Sequence, residues 1–225
     1  RLKHQPRQKG GSQPPRSAGL RPDQHRYGRQ LKQLRLIRRH HAAALALAAT
    51  MNGVKPYIVM PETAPGVKKD AVAGYGAEIT FCKPTLEARE STARAIIEKT
   101  GAVLIHPYDN FNVICGQGTA ALELMSEISD LDIIVAPVGG GGLLSGTSTS
   151  ARAINNKIQV IAAEPLNAND AWKSFTTGVL HPSVHPGTIA DGLLTSLSDL
   201  TFSIIRKNVD QIAPRGVTIH VVLFE

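Results

Sequence analysis

The chain has 225 residues, 42% of them hydrophobic and 19% charged, with a formal net charge of +7 and two cysteines. That length can bury a core as one large domain or two small ones, and no apolar run approaches a membrane span. Cys82 and Cys115 form no CxxC pair and are too few for a disulfide framework, so a reducing, cytoplasmic compartment is the expectation. No secretory pattern opens the chain, and its first residue is Arg1, which suggests a fragment or an incomplete reading frame.

The positive charge is local. Residues 1–39 carry twelve Lys/Arg against one acid, Asp23, whereas residues 40–225 hold 13 bases and 17 acids. The basic head is rich in Pro, Gly, Gln and Arg, lacks apolar periodicity, and reads as disordered or unnatural sequence over residues 1–40. Its only aromatic is Tyr27, and it shows no nucleic-acid-binding motif, so its charge does not make the protein a nucleic-acid binder. A transit peptide fits the arginines but not the scarcity of serines, here Ser12 and Ser17 alone.

Order is expected from His41. The run "HAAALALAATMNG" predicts a helix stopped by Gly53, "KPYIVM" a strand, and "APGVKKDAVAGYG" a helix with Pro65 at its start. Next come a strand in "AEITFC" and a helix capped by Thr85, with Leu86, Ala93, Ile96 and Ile97 on one face. "AVLIHP", "LDIIVAPV" and "IQVIAAEP" read as strands, separated by helices in "GQGTAALELMSEIS" and after the glycines at 139–142. Short, non-alternating, β-branched strands between helices of ten or more residues predict an α/β fold with buried parallel sheets and crossover helices.

The densest signal is "IIVAPVGGGGLLSG", Ile133 to Gly146. A strand that ends in bare backbone before a helix brings free N–H groups and a helix N-terminus to one point, where a phosphate is stabilised. The loop is neither GxxxxGK[ST] nor GxGxxG. A glycine-rich tight turn is the plain alternative.

These segments in order, "HPYDN…GQGTAALEL", "PVGGGGLLSG", "AAEPLNANDA" and "TIADGL", resemble the serine racemase / threonine dehydratase group of fold-type II pyridoxal-phosphate enzymes. The plant-type serine racemases are the form this chain most resembles, from His41 to about Ile212. The resemblance implies a two-domain, tryptophan-synthase-beta-like architecture. The small domain would be 41–109 and the partial large domain 110–212, with a non-matching tail at 213–225. It implies pyridoxal 5'-phosphate held through its phosphate by Gly139, Gly140, Gly141, Gly142 and Leu143, with Asp191 and Gly192 lining the cofactor. His41 and Arg89 would stand on the substrate side. Glu164, the Ala168 carbonyl and Asp170 would hold Mg²⁺ or Ca²⁺, as hard oxygen ligands suit such ions. The implied activity is racemisation or dehydration of L-serine and L-threonine through a Cα carbanion, in a soluble homodimer with no membrane or nucleic-acid partner.

Two departures from the pattern bear on catalysis. The family's Ser-Phe-Lys-x-Arg-Gly-Ala motif supplies the lysine that links to the cofactor. Here "QKGGS" leads to Gln13 about where that lysine is expected, and Lys9 precedes the position without matching it. Ile37, Arg38, Arg39 and His40 replace Ser-Ser-Gly-Asn, the loop that carries the opposite-face base and a ring contact. Thr-His-Ser-Ser-Gly coded ACT CAT TCG TCG G and read one base later gives Leu36-Ile37-Arg38-Arg39, so the head reads as out-of-frame translation. On the lineage the chain is an amino-acid racemase or dehydratase; on its own residues it is a catalytically inactive remnant, with no catalytic residue to name.

Overall fold

A computed structural model describes residues 33–36, 39–190 and 192–215. The first sheet has four parallel strands: β1 (Gln33–Leu36), β2 (Pro56–Pro61), β3 (Glu78–Cys82) and β4 (Val103–Leu104), in the order β3-β2-β1-β4. The chain crosses between them through α1 (Arg39–Met51), α2 (Gly66–Gly74) and α3 (Leu86–Thr100). β2 shows why its composition does not alternate. Tyr57 and Val59 face a core with Ala93 and Ala102, while Ile58 and Met60 face a second core with Ala42, Ala46 and Val72. Both faces of the strand are covered, so every position is apolar.

Local chemistry sets the helix ends. Pro65 precedes the first residue of α2 with its φ fixed at −56°, and Thr85 Oγ1 accepts from Ala88 N at 3.2 Å to cap α3. Gly101 ends α3 in the left-handed region at φ 68°.

The second sheet is β5 (Ile133–Pro137), β6 (Gln159–Pro165) and β7 (Gln211–Arg215), parallel in that order. With it go α4 (Phe111–Glu127), α5 (Gly142–Ile154), a 3-10 turn (Leu166–Ala168), α6 (Asp170–Thr177) and α7 (Asp199–Asn208). One face of β5 and β6 is buried through Ile134, Ala136, Val160 and Ala162, which pack with Leu144, Ala151, Leu197 and Ile205. The other face of β5 is open: Ile133 is 47% and Val135 62% exposed.

One expectation is corrected. The head does not stay without structure to residue 40, because Gln33–Leu36 forms β1 between β2 and β4, and α1 starts at Arg39. The physical reason is tertiary: β2 and β4 supply hydrogen-bond partners on both sides of "QLRL", whose polar/apolar alternation is too short to mark a strand by itself. At the other end, β7 continues three residues past Ile212, pairing Ala213, Pro214 and Arg215 with Ala163, Glu164 and Pro165. Gln13 and the rest of 1–32, Ile37, Arg38, Asp191 and 216–225 lie outside the described residues.

Candidate functional site

β5 delivers the chain through Val138 into the glycine loop, and the loop into α5. Val138 N donates to Ala163 O at 3.0 Å, which continues the β5–β6 ladder to the edge of the loop. Gly141 is the N-cap of α5, left-handed at φ 86°, with no side-chain cap bond, and its carbonyl accepts from Ser145 N at 2.8 Å. The first N–H groups of the 13-residue α5 therefore meet no capping side chain. That is the arrangement that accepts an anion at a helix terminus.

The four glycines are also demanded by packing, and the demand comes from two sides. A Cβ on Gly140 would stand 2.5 Å from the Tyr108 ring, and one on Gly142 would stand 2.8 Å from Tyr108 Cβ. A Cβ on Gly139 would meet Leu193 Cα at 3.0 Å and Gly192 O at 3.1 Å; one on Gly141 would meet Leu197, Thr201 and Ile205 within 2.9 Å. So the tight-turn alternative is part of the answer. Bare backbone lets Tyr108 close on one side of the loop and the 192–205 segment on the other. Gly192, expected at this place, is brought to it.

Thr201 holds the loop from below. Its hydroxyl donates to Gly140 O at 2.9 Å and accepts from Ser198 N at 3.0 Å, while Ser198 Oγ accepts from Thr201 N at 3.2 Å as a capping box of α7. Tyr108 is positioned by its own turn: His106 Nδ1 accepts from Asp109 N at 2.9 Å, and the two rings meet edge to face at 4.5 Å. Sequence reasoning names neither Tyr108 nor Thr201 for the site. "HPYDN" stands out as a segment, but nothing in a sequence says that its tyrosine reaches a loop over thirty residues away.

The second cluster follows β6. Glu164 is only 3% exposed, and its carboxylate accepts from Ala171 N and Trp172 N, both at 2.8 Å, at the N-terminus of α6. Burial pushes its pKa up to about 7; the two backbone donors pull it down, Asp170 pushes it up and Lys173 pulls it down. Ala168 and Asp170, each 5% exposed, lie in the same turn. The three residues named for a cation are therefore neighbours. Among the described residues no group of three or more His, Cys, Asp or Glu is placed to hold a metal ion, so the segment offers two carboxylates and a carbonyl.

The two residues expected on the substrate side lie in helices that connect strands of the first sheet. His41 is in the first turn of α1, just beyond β1, and Arg89 is in the first turn of α3, its Nε donating to Thr85 O at 3.2 Å. Among the described residues no helix is long and apolar enough to cross a membrane.

Comparison with known proteins gives the site a lineage. Residues 40–219 match the family described as "Pyridoxal-phosphate dependent enzyme". A serine racemase of Dictyostelium discoideum is 53% identical over 173 residues, 76% of this chain and 53% of its own length. The structure of maize serine racemase aligns at a TM-score of 0.80 and 39% identity, covering 83% of this chain and 57% of that one. A processed threonine deaminase isoform of Solanum lycopersicum aligns at 0.77 and 29%, covering 83% and 55%. The chain thus spans about half the length of the curated relatives it matches.

Proposed function

Because this chain belongs to the pyridoxal-phosphate dependent enzyme family, we propose that its glycine loop anchors the cofactor's phosphate for racemisation or dehydration of L-serine and L-threonine. The observation that carries the reading is the uncapped N-terminus of α5 behind a left-handed Gly141. Gly139 to Gly142 and Leu143 would bind the phosphate by backbone N–H groups, helped by the dipole of α5. Thr201 fixes the Gly140 carbonyl and so keeps the loop's peptide planes from rotating. Gly192, Leu193 and Tyr108 would exclude water from it. Bound pyridoxal phosphate supplies an electron sink that makes the proton on a substrate Cα removable. His41 and Arg89 are the groups we assign to the substrate, Arg89 by pairing with its carboxylate. Glu164, the Ala168 carbonyl and Asp170 would take Mg²⁺ or Ca²⁺, supported by their shared turn. A homodimer in the cytoplasm is the setting we infer, in keeping with two free cysteines.

A second reading concerns this chain alone. With Gln13 where the family pattern has its lysine, the chain would hold the cofactor by its phosphate without a covalent link, and would not turn over substrate. Borohydride treatment after incubation with pyridoxal phosphate, followed by peptide mapping, separates the two readings. Label on one specific lysine supports the enzyme; retention of unlinked cofactor supports the binder.

A further inference from the structure

Between residues 188 and 201 the chain carries five serine and threonine hydroxyls, at Thr188, Thr195, Ser196, Ser198 and Thr201. Four are bonded within the protein. Thr188 Oγ1 accepts from Ala190 N at 3.1 Å, and Ser196 Oγ accepts from Ser183 N at 2.7 Å. Ser198 and Thr201 accept from each other's backbone N–H in the capping box of α7. Thr195 is the exception: its Oγ1 is buried and meets no hydrogen-bond partner among the described residues. A hydroxyl shut off from water without a partner costs free energy, so it is kept where a water or a ligand supplies the bond. The segment that carries it lies against the glycine loop. Two residues before Thr195, Leu193 Cα lies 3.0 Å from where a Gly139 Cβ would stand; two residues after it, Leu197 Cδ2 lies 2.7 Å from the same position on Gly141. Consecutive Cα atoms are about 3.8 Å apart, so Thr195 Cα is within about 8 Å of the Cα atoms of both leucines.

We propose that the Thr195 hydroxyl donates a hydrogen bond to pyridoxal phosphate held at the glycine loop, adding a side-chain donor to the loop's backbone N–H groups. The inference rests on the reading of that loop as the phosphate site and extends it by one residue. A hydroxyl rotates its proton toward the acceptor that arrives. Donation to a charged phosphate oxygen is among the stronger hydrogen bonds, which is a reason to keep threonine where valine would fill the same space. A buried water is the competing partner, and it would leave cofactor affinity indifferent to the hydroxyl.

Two variants of the full chain make the test. Thr195→Val keeps the shape and removes the hydroxyl, whereas Thr195→Ser keeps the hydroxyl. Each is denatured in urea without ligand and then titrated with pyridoxal phosphate. Without ligand, Thr195→Val should unfold at a urea midpoint equal to or above that of wild type, because a methyl group replaces an unpaired hydroxyl. With pyridoxal phosphate, Thr195→Val should bind at least fivefold more weakly, and Thr195→Ser should stay within twofold of wild type. A lower midpoint for Thr195→Val without ligand means that the hydroxyl already has a partner, and overturns the proposal. A loss of affinity in Thr195→Ser equal to that in Thr195→Val overturns it too, since shape rather than the hydroxyl would then matter. Equal affinity in wild type and Thr195→Val removes Thr195 from the site and leaves the glycine-loop reading standing. No binding by wild type removes that reading, and this inference with it.

Discussion

The hydroxyl of Thr201 donates to the carbonyl of Gly140 at 2.9 Å, a buried bond that ties the first turn of α7 to the glycine loop. It orients a peptide plane at the point where the N–H groups of α5 begin. Thr201→Val keeps the shape and removes the donor, leaving a buried carbonyl unpaired, which costs about 1–3 kcal/mol. We expect a lower urea midpoint with unchanged m-value, together with weaker cofactor retention. Full retention in a destabilised Thr201→Val would detach this bond from the phosphate site.

Gly140 and Tyr108 should be coupled. Gly140→Ala puts a Cβ 2.5 Å from the Tyr108 ring and is expected to destabilise, with about 1–3 kcal/mol typical of an overpacked site. Tyr108→Ala alone leaves a gap; in the double variant the clash disappears. A double-mutant cycle by chemical denaturation should show a favourable interaction energy of about 1 kcal/mol or more between the two changes. Additive effects would mean that the ring does not set the size of residue 140.

Glu164 makes stability depend on pH in a defined window. Its folded pKa is pushed up to about 7 from 4.5, so between those values the folded state binds more protons than the unfolded chain. Stability is therefore greatest below about 4.5 for this group and falls as pH rises to about 7, by roughly 3 kcal/mol at most. Denaturation in chelator from pH 4.5 to 8 should show this decline, and Glu164→Gln should flatten it. If Mg²⁺ or Ca²⁺ competes with the proton there, the added ion raises the melting temperature at pH 8 and not at pH 5.

One nitrogen of Arg152, Nη2, donates to both carboxylate oxygens of Asp210, at 2.6 and 2.7 Å, and Asp210 Oδ2 also accepts from Val160 N at 2.7 Å. The pair joins the last turn of α5 to β6 and to the entry of β7. The other guanidinium nitrogens, Nε and Nη1, donate to Asn208 O and Asn156 O, a spread of donors that one ammonium lacks, so Arg152→Lys should lower stability by about 1 kcal/mol. Stability equal to wild type would mark the pair as a surface ion pair of no consequence.

The parallel α/β plan is legible in the sequence because β2 is apolar at every position, and the structure buries both its faces. Thr85, Pro65 and the glycine loop announce element ends through local chemistry, which needs no tertiary knowledge. β1 is illegible for the opposite reason. "QLRL" alternates polar and apolar over only four residues, too few to mark a strand in a basic head, and its place is fixed by partners in β2 and β4. The same limit hides Thr201 and Tyr108, whose contacts with the glycine loop cross 61 and about thirty residues. The residues we assign to a cation are visible as "EPLNAND", yet not the two backbone donors that Glu164 takes from α6.

The most direct test of the account is retention of pyridoxal phosphate after exhaustive dialysis, followed by absorbance and fluorescence, in wild type, Gly139→Asp and Leu143→Asp. Gly139→Asp also crowds Leu193 at 3.0 Å, so Leu143→Asp supplies the like charge from a half-buried position where an acid suits the helix start. Circular dichroism verifies that each variant folds. The account predicts that wild type keeps the cofactor and that folded Leu143→Asp and Gly139→Asp lose at least tenfold in affinity. Equal retention by a folded Leu143→Asp, or no retention by wild type, would contradict the claim that the glycine loop holds the phosphate.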